Sequence, residues 1–235
     1  VVLPDSAVVR TFERYWEFFA RRRDGREEWD AYTPYELRNV GAFVRLGWRD
    51  RAHEALAWFL GHRRPEGWRQ WAEVVDRRER HARFLGDMPH TWVGTDFVRS
   101  VQEMLAYERE SDSTLVLAAG VPLEWLEGPG VHVRNLVTRW GVVSYQLHRV
   151  EGRIRLVLDG SRLKYPRGGI EFAPPFDLPA KVAGPVQPQA VQVEGKLQRV
   201  GADRRFLWRP LRRDARVPRT LEWGHTDLPR YDPYR

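Results

Sequence analysis

The spacing of apolar residues changes near Asp112, from a period of three to four residues to a period of two. Before this point apolar residues recur at helical intervals, as with Val8 and Phe12, which is typical of an amphipathic α-helix. After it they alternate with polar residues, as with Val143 and Tyr145, which is typical of a half-buried strand. We therefore predict an α+β chain in which helices come first and strands follow.

Four helices are predicted in the first part of the chain. Residues 4–6 (PDS) form an N-cap for the first, and the capping box at 33–36 (TPYE) begins the second. Gly47 is expected to end the second helix, and Asp50 to cap the third. The connection between them is very short, which predicts an antiparallel helical hairpin. The fourth helix is expected from about residue 94 to 108.

The second part of the chain reads as many short strands separated by Gly- and Pro-containing turns. A hairpin is predicted on either side of Glu151-Gly152, and such a pattern favours an antiparallel β-sandwich. The expected strands are 114–118, 131–138, 143–147, 154–158, 169–173, 190–193 and 206–208. The predicted organisation is a helical part in 1–111, the β-sandwich in 112–213, and a Pro-, Arg- and aromatic-rich tail without periodicity in 214–235.

Composition excludes several classes of function. The net charge of +7 comes almost entirely from arginine, with acidic residues interspersed as in RRRDGREEWD. This mixture is typical of a solvated surface rather than a phosphate-binding stripe, so we expect no nucleic-acid partner. No apolar run approaches the roughly 18 residues of a membrane span. The absence of cysteine excludes disulfides and thiolate metal sites and is compatible with both a cytoplasmic and an exported protein.

Known catalytic and cofactor motifs are missing from the sequence. It contains no HExxH, no phosphate-binding P-loop, no GxGxxG and no GxSxG. The seven histidines are scattered without close ligand spacing. We therefore predict no metal site and no cofactor, with calcium bound through loop carboxylates as the open alternative.

The long segment between residues 63 and 92 has few periodic apolar positions, and long loops in compact domains are usually functional. It carries Trp68, Trp71 and Glu73, followed by His90 and Trp92. Indoles stack on the apolar faces of sugar rings, whereas carboxylates and imidazoles bind hydroxyl groups. Glycoside cleavage further needs two carboxyl groups that flank the bond. The segment is therefore chemically suited to carbohydrate.

The order of these features resembles the C-terminal end of the six-hairpin (α/α)6 glycosidases, with the α-L-rhamnosidase-like group nearest. The resemblance rests on helical hairpins, a loop with Trp and Glu, a PHTW sequence before the last helix, and an all-β part directly after it. VHVRNLVTRWGVVSYQLHRVEGRIRLVLDG, followed by YPRGGIEFAPPF, is similar to the β-sandwich after the toroid in such enzymes. The resemblance covers roughly residues 5 to 200.

What the resemblance implies centres on Glu73. In these families the catalytic carboxylates lie on loops of different hairpins at one end of the toroid. Glu73 resembles the catalytic base, or a sugar-binding carboxylate, of the late hairpins. The partner acid is expected on an earlier hairpin, and a toroid needs twelve helices where four are predicted. The chain, which does not begin with Met, is thus expected to be a C-terminal fragment that works with a missing N-terminal portion.

Substrate-binding residues are expected around Glu73 and on the loop before the second helix. Each has a structural alternative: Glu73 as a surface residue that begins a short helix, Asp87 as a turn cap, His90 as a structural imidazole, and Trp92 as core filler. The expected set is Trp68, Gln70, Trp71, Asp87, His90, Trp92, Trp29 and Tyr32.

The sequence favours a glycoside hydrolase that cleaves bonds in oligo- or polysaccharides by carboxylate acid/base chemistry. The alternative is a non-catalytic carbohydrate-binding or structural module, which binds glycans without turnover. A third hypothesis is a basic nucleic-acid binder, which predicts strongly salt-dependent binding.

Overall fold

The computed structural model divides the chain into two compact units, Val1–Met104 and Leu105–Arg235. The first contains the helices and the second contains two sheets, so the predicted α+β order of helices followed by strands is confirmed. The division falls between residues 104 and 105, whereas the sequence placed it between 111 and 112. The residues that the structure describes are 6–28, 31–32, 34–65, 67–76, 78, 81, 86–150, 153–173, 175, 196–200, 205–209 and 220–223.

Four helices occupy the described part of the first unit. None of the described helices combines the length and the apolar character needed to cross a bilayer. A single 3-10 turn at Pro34–Leu37 directly precedes the second helix. The helices are α1 (Ser6–Arg23), α2 (Arg38–Leu46), α3 (Arg49–Gly61) and α4 (Thr91–Leu105).

Helices α2 and α3 form the predicted hairpin, but their first residues differ from those expected. Gly47 ends α2 in the left-handed conformation, at a φ of 81°, which glycine adopts without steric cost. Only Gly47 and Trp48 separate α2 from α3, and the two helices contact each other. Asp50 is not the cap, because α3 already begins at Arg49. Asp50 lies inside the first turn, where its charge is favourable to the helix dipole.

The capping box predicted at 33–36 does not begin α2. Glu36 lies in the 3-10 turn, and its carboxylate accepts hydrogen bonds of 2.8 and 2.6 Å from Arg22 and of 2.5 Å from the Tyr15 hydroxyl. These charge-assisted bonds tie α1 to the turn and occupy the oxygens that a capping box would use. Of the expected cap of α1, Ser6 is the first helical residue, and residues 4 and 5 lie outside the described residues.

Helix α4 begins and ends earlier than expected and packs partly through polar groups. The buried Ser100 donates a 2.8 Å hydrogen bond to the Leu37 carbonyl. Glu103 is buried as well, and it accepts hydrogen bonds from Arg45 and Arg99. Val98, predicted on the apolar face, is 61% exposed. The helix is therefore oriented by polar anchors that apolar periodicity does not reveal.

The segment between α3 and α4 pairs with the region before α2. Strand β1 (Ala31–Tyr32) forms a two-stranded antiparallel ladder with β2 (Val75–Asp76), in which Tyr32 is opposite Val75. The described residues of 71–80 contain no helix. The ladder pairs the backbone of Tyr32 with that of Val75, two residues after Glu73.

The second unit contains two sheets around an apolar core. The first sheet has the order β3-β4-β8-β10-β9, and the second β11-β7-β6-β5. The core includes Leu115, Leu117, Val143, Tyr145 and Phe172. The strands are β3 (Ala106–Arg109), β4 (Thr114–Leu117), β5 (Val131–Thr138), β6 (Gly141–Val150), β7 (Arg153–Leu163), β8 (Gly169–Phe172), β9 (Lys196–Val200), β10 (Arg205–Arg209) and β11 (Thr220–Trp223).

The strands depart from the sequence prediction in four respects. β4 and β8 pair in parallel, so the first sheet is mixed and not purely antiparallel. β3 occupies residues expected to end the last helix, and β9 was not expected. β11 lies in the stretch predicted to be an aperiodic tail and pairs with β7. The strand predicted at 190–193 lies outside the described residues.

Candidate functional site

The residues around Glu73 lie alongside the residues that precede α4, held by three backbone hydrogen bonds. The Glu73 amide donates to the Asp87 carbonyl at 2.9 Å, and the Gly86 amide donates to the Val74 carbonyl at 3.1 Å. The His90 amide donates to the Trp71 carbonyl at 2.7 Å. These bonds bring the Glu73 side chain next to Asp87 and His90, which are 14 and 17 positions away in the sequence.

Gly86 lets the two segments approach closely. A Cβ at this position would lie 2.7 Å from the Glu73 Cβ, 2.9 Å from Glu73 Oε2 and 2.9 Å from the Val74 amide nitrogen. Real Cβ atoms essentially never make contacts below 3.0 Å. The Glu73 side chain therefore rests directly against the backbone of residue 86.

Replacing Gly86 with alanine is expected to separate the two segments and to disturb the site. The added methyl group has no space, so we expect a loss of about 1–3 kcal/mol in the free energy of unfolding, as for other overpacked positions. Chemical denaturation measures this loss. Gly94→Ala is the control, because a Cβ at Gly94 meets nothing within 4 Å and alanine favours a helix. Equal stability of the Gly86→Ala and Gly94→Ala proteins would contradict the close approach.

Tyr35 links Glu73 to His90. Its hydroxyl lies 3.2 Å from Glu73 Oε1, to which it donates, and 3.0 Å from His90 Nε2. The pKa of Tyr35 is raised above its ordinary value by lost hydration and then by the charge and hydrogen bond of Glu73. The phenol therefore stays protonated at neutral pH and remains a hydrogen-bond donor to the carboxylate.

An exposed indole and a guanidinium lie beside this cluster. Trp92 is 60% exposed, and its ring meets the Tyr35 ring edge-on at 5.7 Å between centroids. Arg38 is 5.4 Å from the centroid of the Tyr35 ring and 6.0 Å from that of Trp92. Its Nη2 also donates to Asp96 at 2.9 Å. The site thus combines an accessible aromatic surface with hydrogen-bonding groups.

Three side chains with metal-binding atoms come together in this cluster. One ligand atom each from Glu73, Asp87 and His90 lies within 4.8 Å of the others. Glu73 and His90 are half-buried, and Asp87 is exposed. The Asp87 amide donates to Glu73 Oε2 at 3.3 Å. The sequence prediction of no metal site rested on histidine spacing alone, and it stays a prediction.

The expected aromatic residues fall into two groups. Trp68 is 50% exposed and is available for stacking, as is Trp92. Trp71 is only 7% exposed, and its indole packs against Phe97 at 5.3 Å between centroids. Its role as a stacking wall is therefore corrected to that of a packing residue beneath the loop.

The remaining expected residues lie close in sequence to the cluster, or their side chains are not described. Gln70 is half-buried on the loop that precedes Glu73. The backbone of Tyr32 pairs with Val75, two residues after Glu73. Trp29 lies outside the described residues.

Tyr35 and Arg38 were not predicted as site residues. Sequence reasoning assigned residues 33–36 to a helix start, and nothing local indicates that Tyr35 reaches residues 38 and 55 positions away. A signal was present in the run of aromatics before α2, where Tyr35 follows Tyr32 by three positions.

Glu73 and Asp87 bring two carboxylates together in this cluster, with one oxygen of each within 4.8 Å of the other.

Comparison with known proteins assigns no family to this chain. No protein-family model, no curated protein and no solved structure matches the chain.

Proposed function

We propose that this chain is the C-terminal part of a glycoside hydrolase of the six-hairpin type. Its helices would be the last hairpins of an α/α toroid, and its two sheets the β-sandwich that follows the toroid along the chain. The order of a helical unit followed by a β unit supports this architecture. The partner in this proposal is a carbohydrate, and neither nucleic acid nor a membrane is required.

The observation that carries the proposal is the meeting of Glu73, Tyr35 and His90 beside an exposed indole. Sugars offer C–H faces that stack on indoles and hydroxyls that bind carboxylates and imidazoles. Trp92 supplies the stacking surface, and Glu73, Asp87 and His90 supply hydroxyl partners. Trp71 and Gly86 support this arrangement, because the Trp71 carbonyl accepts a hydrogen bond from the His90 amide and Gly86 lies directly against Glu73.

Glu73 is the catalytic carboxylate in this proposal. It acts as the general base that takes a proton from the attacking water, or as the carboxylate that holds a sugar hydroxyl. Tyr35 donates a hydrogen bond to Oε1 and so orients the Glu73 carboxylate. In this proposal the acid that protonates the leaving oxygen belongs to another hairpin of the complete enzyme, since cleavage needs two carboxyl groups that flank the bond.

Replacement of Glu73 by glutamine tests this role. The complete natural protein and its Glu73→Gln variant are assayed on a panel of aryl glycosides and oligosaccharides. General-base catalysis is worth about 10²–10⁴-fold, so we expect kcat/KM to fall by that factor. Glu17→Gln, at an exposed position on α1, is the control and should change nothing. A folded Glu73→Gln protein with full activity would show that the assignment is wrong.

A non-catalytic carbohydrate-binding module is the second candidate. It is favoured by the exposure of Trp68 and Trp92, 50% and 60% respectively, because stacking alone binds sugars. It predicts that Trp92→Ala abolishes glycan binding measured by calorimetry, while the unmodified protein releases no product from any substrate in the panel. Turnover that depends on Glu73 would exclude it.

A further inference from the structure

We propose that Glu73, Asp87 and His90 bind a divalent metal ion of the kind that accepts mixed nitrogen and oxygen ligands, such as Mn²⁺ or Zn²⁺. The site shares Glu73 with the proposed function, but binding of the ion needs no sugar and no turnover. The three donors lie within 4.8 Å of one another. Two carboxylates with one imidazole form a donor set for such ions, and not merely an acidic patch.

The donor atoms of the cluster lie slightly further apart than in an occupied site, so the side chains have to move together when the ion binds. Ligand atoms lie about 2.0–2.2 Å from Zn²⁺, which places neighbouring donors of a tetrahedral site roughly 3.4 Å apart. The donors of the cluster, which lie within 4.8 Å of one another, therefore have to approach by about 1.4 Å at most to reach this spacing. Asp87 is exposed and can rotate its side chain without displacing a packed neighbour.

The backbone holds two of the ligands in place before an ion arrives. The Glu73 amide bonds to the Asp87 carbonyl at 2.9 Å, and the His90 amide bonds to the Trp71 carbonyl at 2.7 Å. Trp71 is buried, so it anchors the segment that precedes Glu73. Such preorganisation lowers the entropy lost when the ion binds.

Tyr35 has the position of an outer-shell partner. Its hydroxyl contacts His90 Nε2 at 3.0 Å and Glu73 Oε1 at 3.2 Å. A hydrogen bond to the second ring nitrogen of a histidine ligand fixes the orientation and tautomer of the ring. Glu73 Oε2 accepts a hydrogen bond of 3.3 Å from the Asp87 amide.

Electrostatic attraction between the cation and the two carboxylates favours binding of the ion. Glu73 and Asp87 bring two negative charges within 4.8 Å, and like charges at this range repel. A divalent ion between them replaces this repulsion with attraction to both carboxylates. The nearby guanidinium of Arg38 is already paired with Asp96 at 2.9 Å.

Direct titration of the purified chain tests the site. After treatment with a chelator, the protein is titrated with Mn²⁺ and followed by electron paramagnetic resonance, and with Zn²⁺, Ca²⁺ and Mg²⁺ by calorimetry. We expect Mn²⁺ and Zn²⁺ to bind with one ion per chain and to raise the unfolding temperature. Ca²⁺ and Mg²⁺ prefer oxygen-only sites and should bind more weakly. Absence of Mn²⁺ and Zn²⁺ binding, or tighter binding of Ca²⁺, would overturn the proposal.

The Mn²⁺ affinities of single-residue variants show which side chains bind the ion. Glu73→Gln, Asp87→Asn and His90→Gln should each weaken Mn²⁺ binding at least tenfold, and Tyr35→Phe by about 10–100-fold as an outer-shell change. Glu17→Gln, at an exposed position on α1, removes a carboxylate that is not in the cluster and should leave the affinity unchanged. Equal losses in Glu17→Gln and Asp87→Asn would contradict the assignment.

A further measurement uses the unmodified protein, so its result does not depend on whether the variants fold. Substoichiometric Mn²⁺ should broaden the ring resonances of His90 selectively, and an unaffected His90 signal would overturn the proposal.

Failure of this proposal can be distinguished from failure of the proposed function. Metal binding with undiminished hydrolysis by Glu73→Gln would refute only the catalytic role, and loss of hydrolysis without metal binding would refute only the metal site.

Discussion

Replacing Arg109 with methionine is expected to lower the free energy of unfolding of the second unit by about 3–5 kcal/mol, the cost of breaking a buried ion pair from one side. Glu171 is 1% exposed in the centre of the first sheet, and Arg109 Nη2 donates to its Oε2 at 2.7 Å. Burial alone lowers the pKa of Arg109, but its hydrogen bonds to Asp112 and Glu171 raise that pKa above the ordinary value. Without the guanidinium, the Glu171 carboxylate keeps its burial and loses its ion pair with Arg109.

Two further proteins separate the charge effect from lost packing. The double variant Arg109→Met/Glu171→Gln carries no buried carboxylate at this place and should recover most of the lost stability. Arg134→Met, at an exposed position on β5, is the control and should change the free energy of unfolding by less than about 0.5 kcal/mol. Denaturant midpoints and slopes of the four proteins give the comparison. A double variant as unstable as Arg109→Met would contradict the electrostatic explanation.

Replacing Phe43 with alanine should cost the first unit about 3–5 kcal/mol, as for other buried phenylalanines. The side chain is fully buried. Its ring is within about 6 Å, centroid to centroid, of three aromatic rings on α1 and of Trp48, which lies between α2 and α3: Phe12 (6.1 Å), Tyr15 (6.0 Å), Trp16 (5.6 Å) and Trp48 (5.9 Å). Truncation leaves a cavity between the two helices, because rigid rings on both sides collapse poorly.

The matched control is Phe18→Ala on α1. Phe18 is 39% exposed and contacts the guanidinium of Arg22, which is 4.1 Å from its ring centroid. An exposed cation–π contact is worth about 0.5–1 kcal/mol, so the loss should stay near that value. Thermal and urea denaturation of both variants measures the difference. Similar losses for Phe43→Ala and Phe18→Ala would show that Phe43 is not the centre of the core.

Features with a local signature could be predicted from the sequence. Gly47 was expected to end a helix because only glycine adopts the left-handed conformation at no steric cost, and it does so at a φ of 81°. The hairpin of β6 and β7 was expected because alternation of apolar residues sets the buried face of each strand. Tyr145 and Leu156 of that pattern are buried.

Features that depend on distant partners could not be predicted. Residues 106–109 continue a helical pattern, and only their pairing with β4 makes them a strand. The parallel pairing of β4 with β8 joins residues 55 positions apart. Asp50 reads as an N-cap, yet α3 begins one residue earlier, which is within the usual error for a helix boundary.

The candidate site likewise has features that could be predicted from the sequence and features that could not. The residue types of Glu73, Asp87 and His90 indicated chemistry, and the structure brings these side chains together. Their link through Tyr35 was not predicted, because a tyrosine beside a capping box carries no sign of where its hydroxyl points. The burial of Trp71 was not predicted either, since an indole serves equally well as core filler and as a stacking surface.

The most direct test of the carbohydrate site is a crystal structure of the protein with a bound oligosaccharide. We predict one sugar ring stacked on the Trp92 indole, with a hydroxyl group within hydrogen-bonding distance of Glu73 and another near His90. A well-defined sugar bound only to the second unit, with Glu73, His90 and Trp92 free of ligand at saturating concentration, would contradict the account.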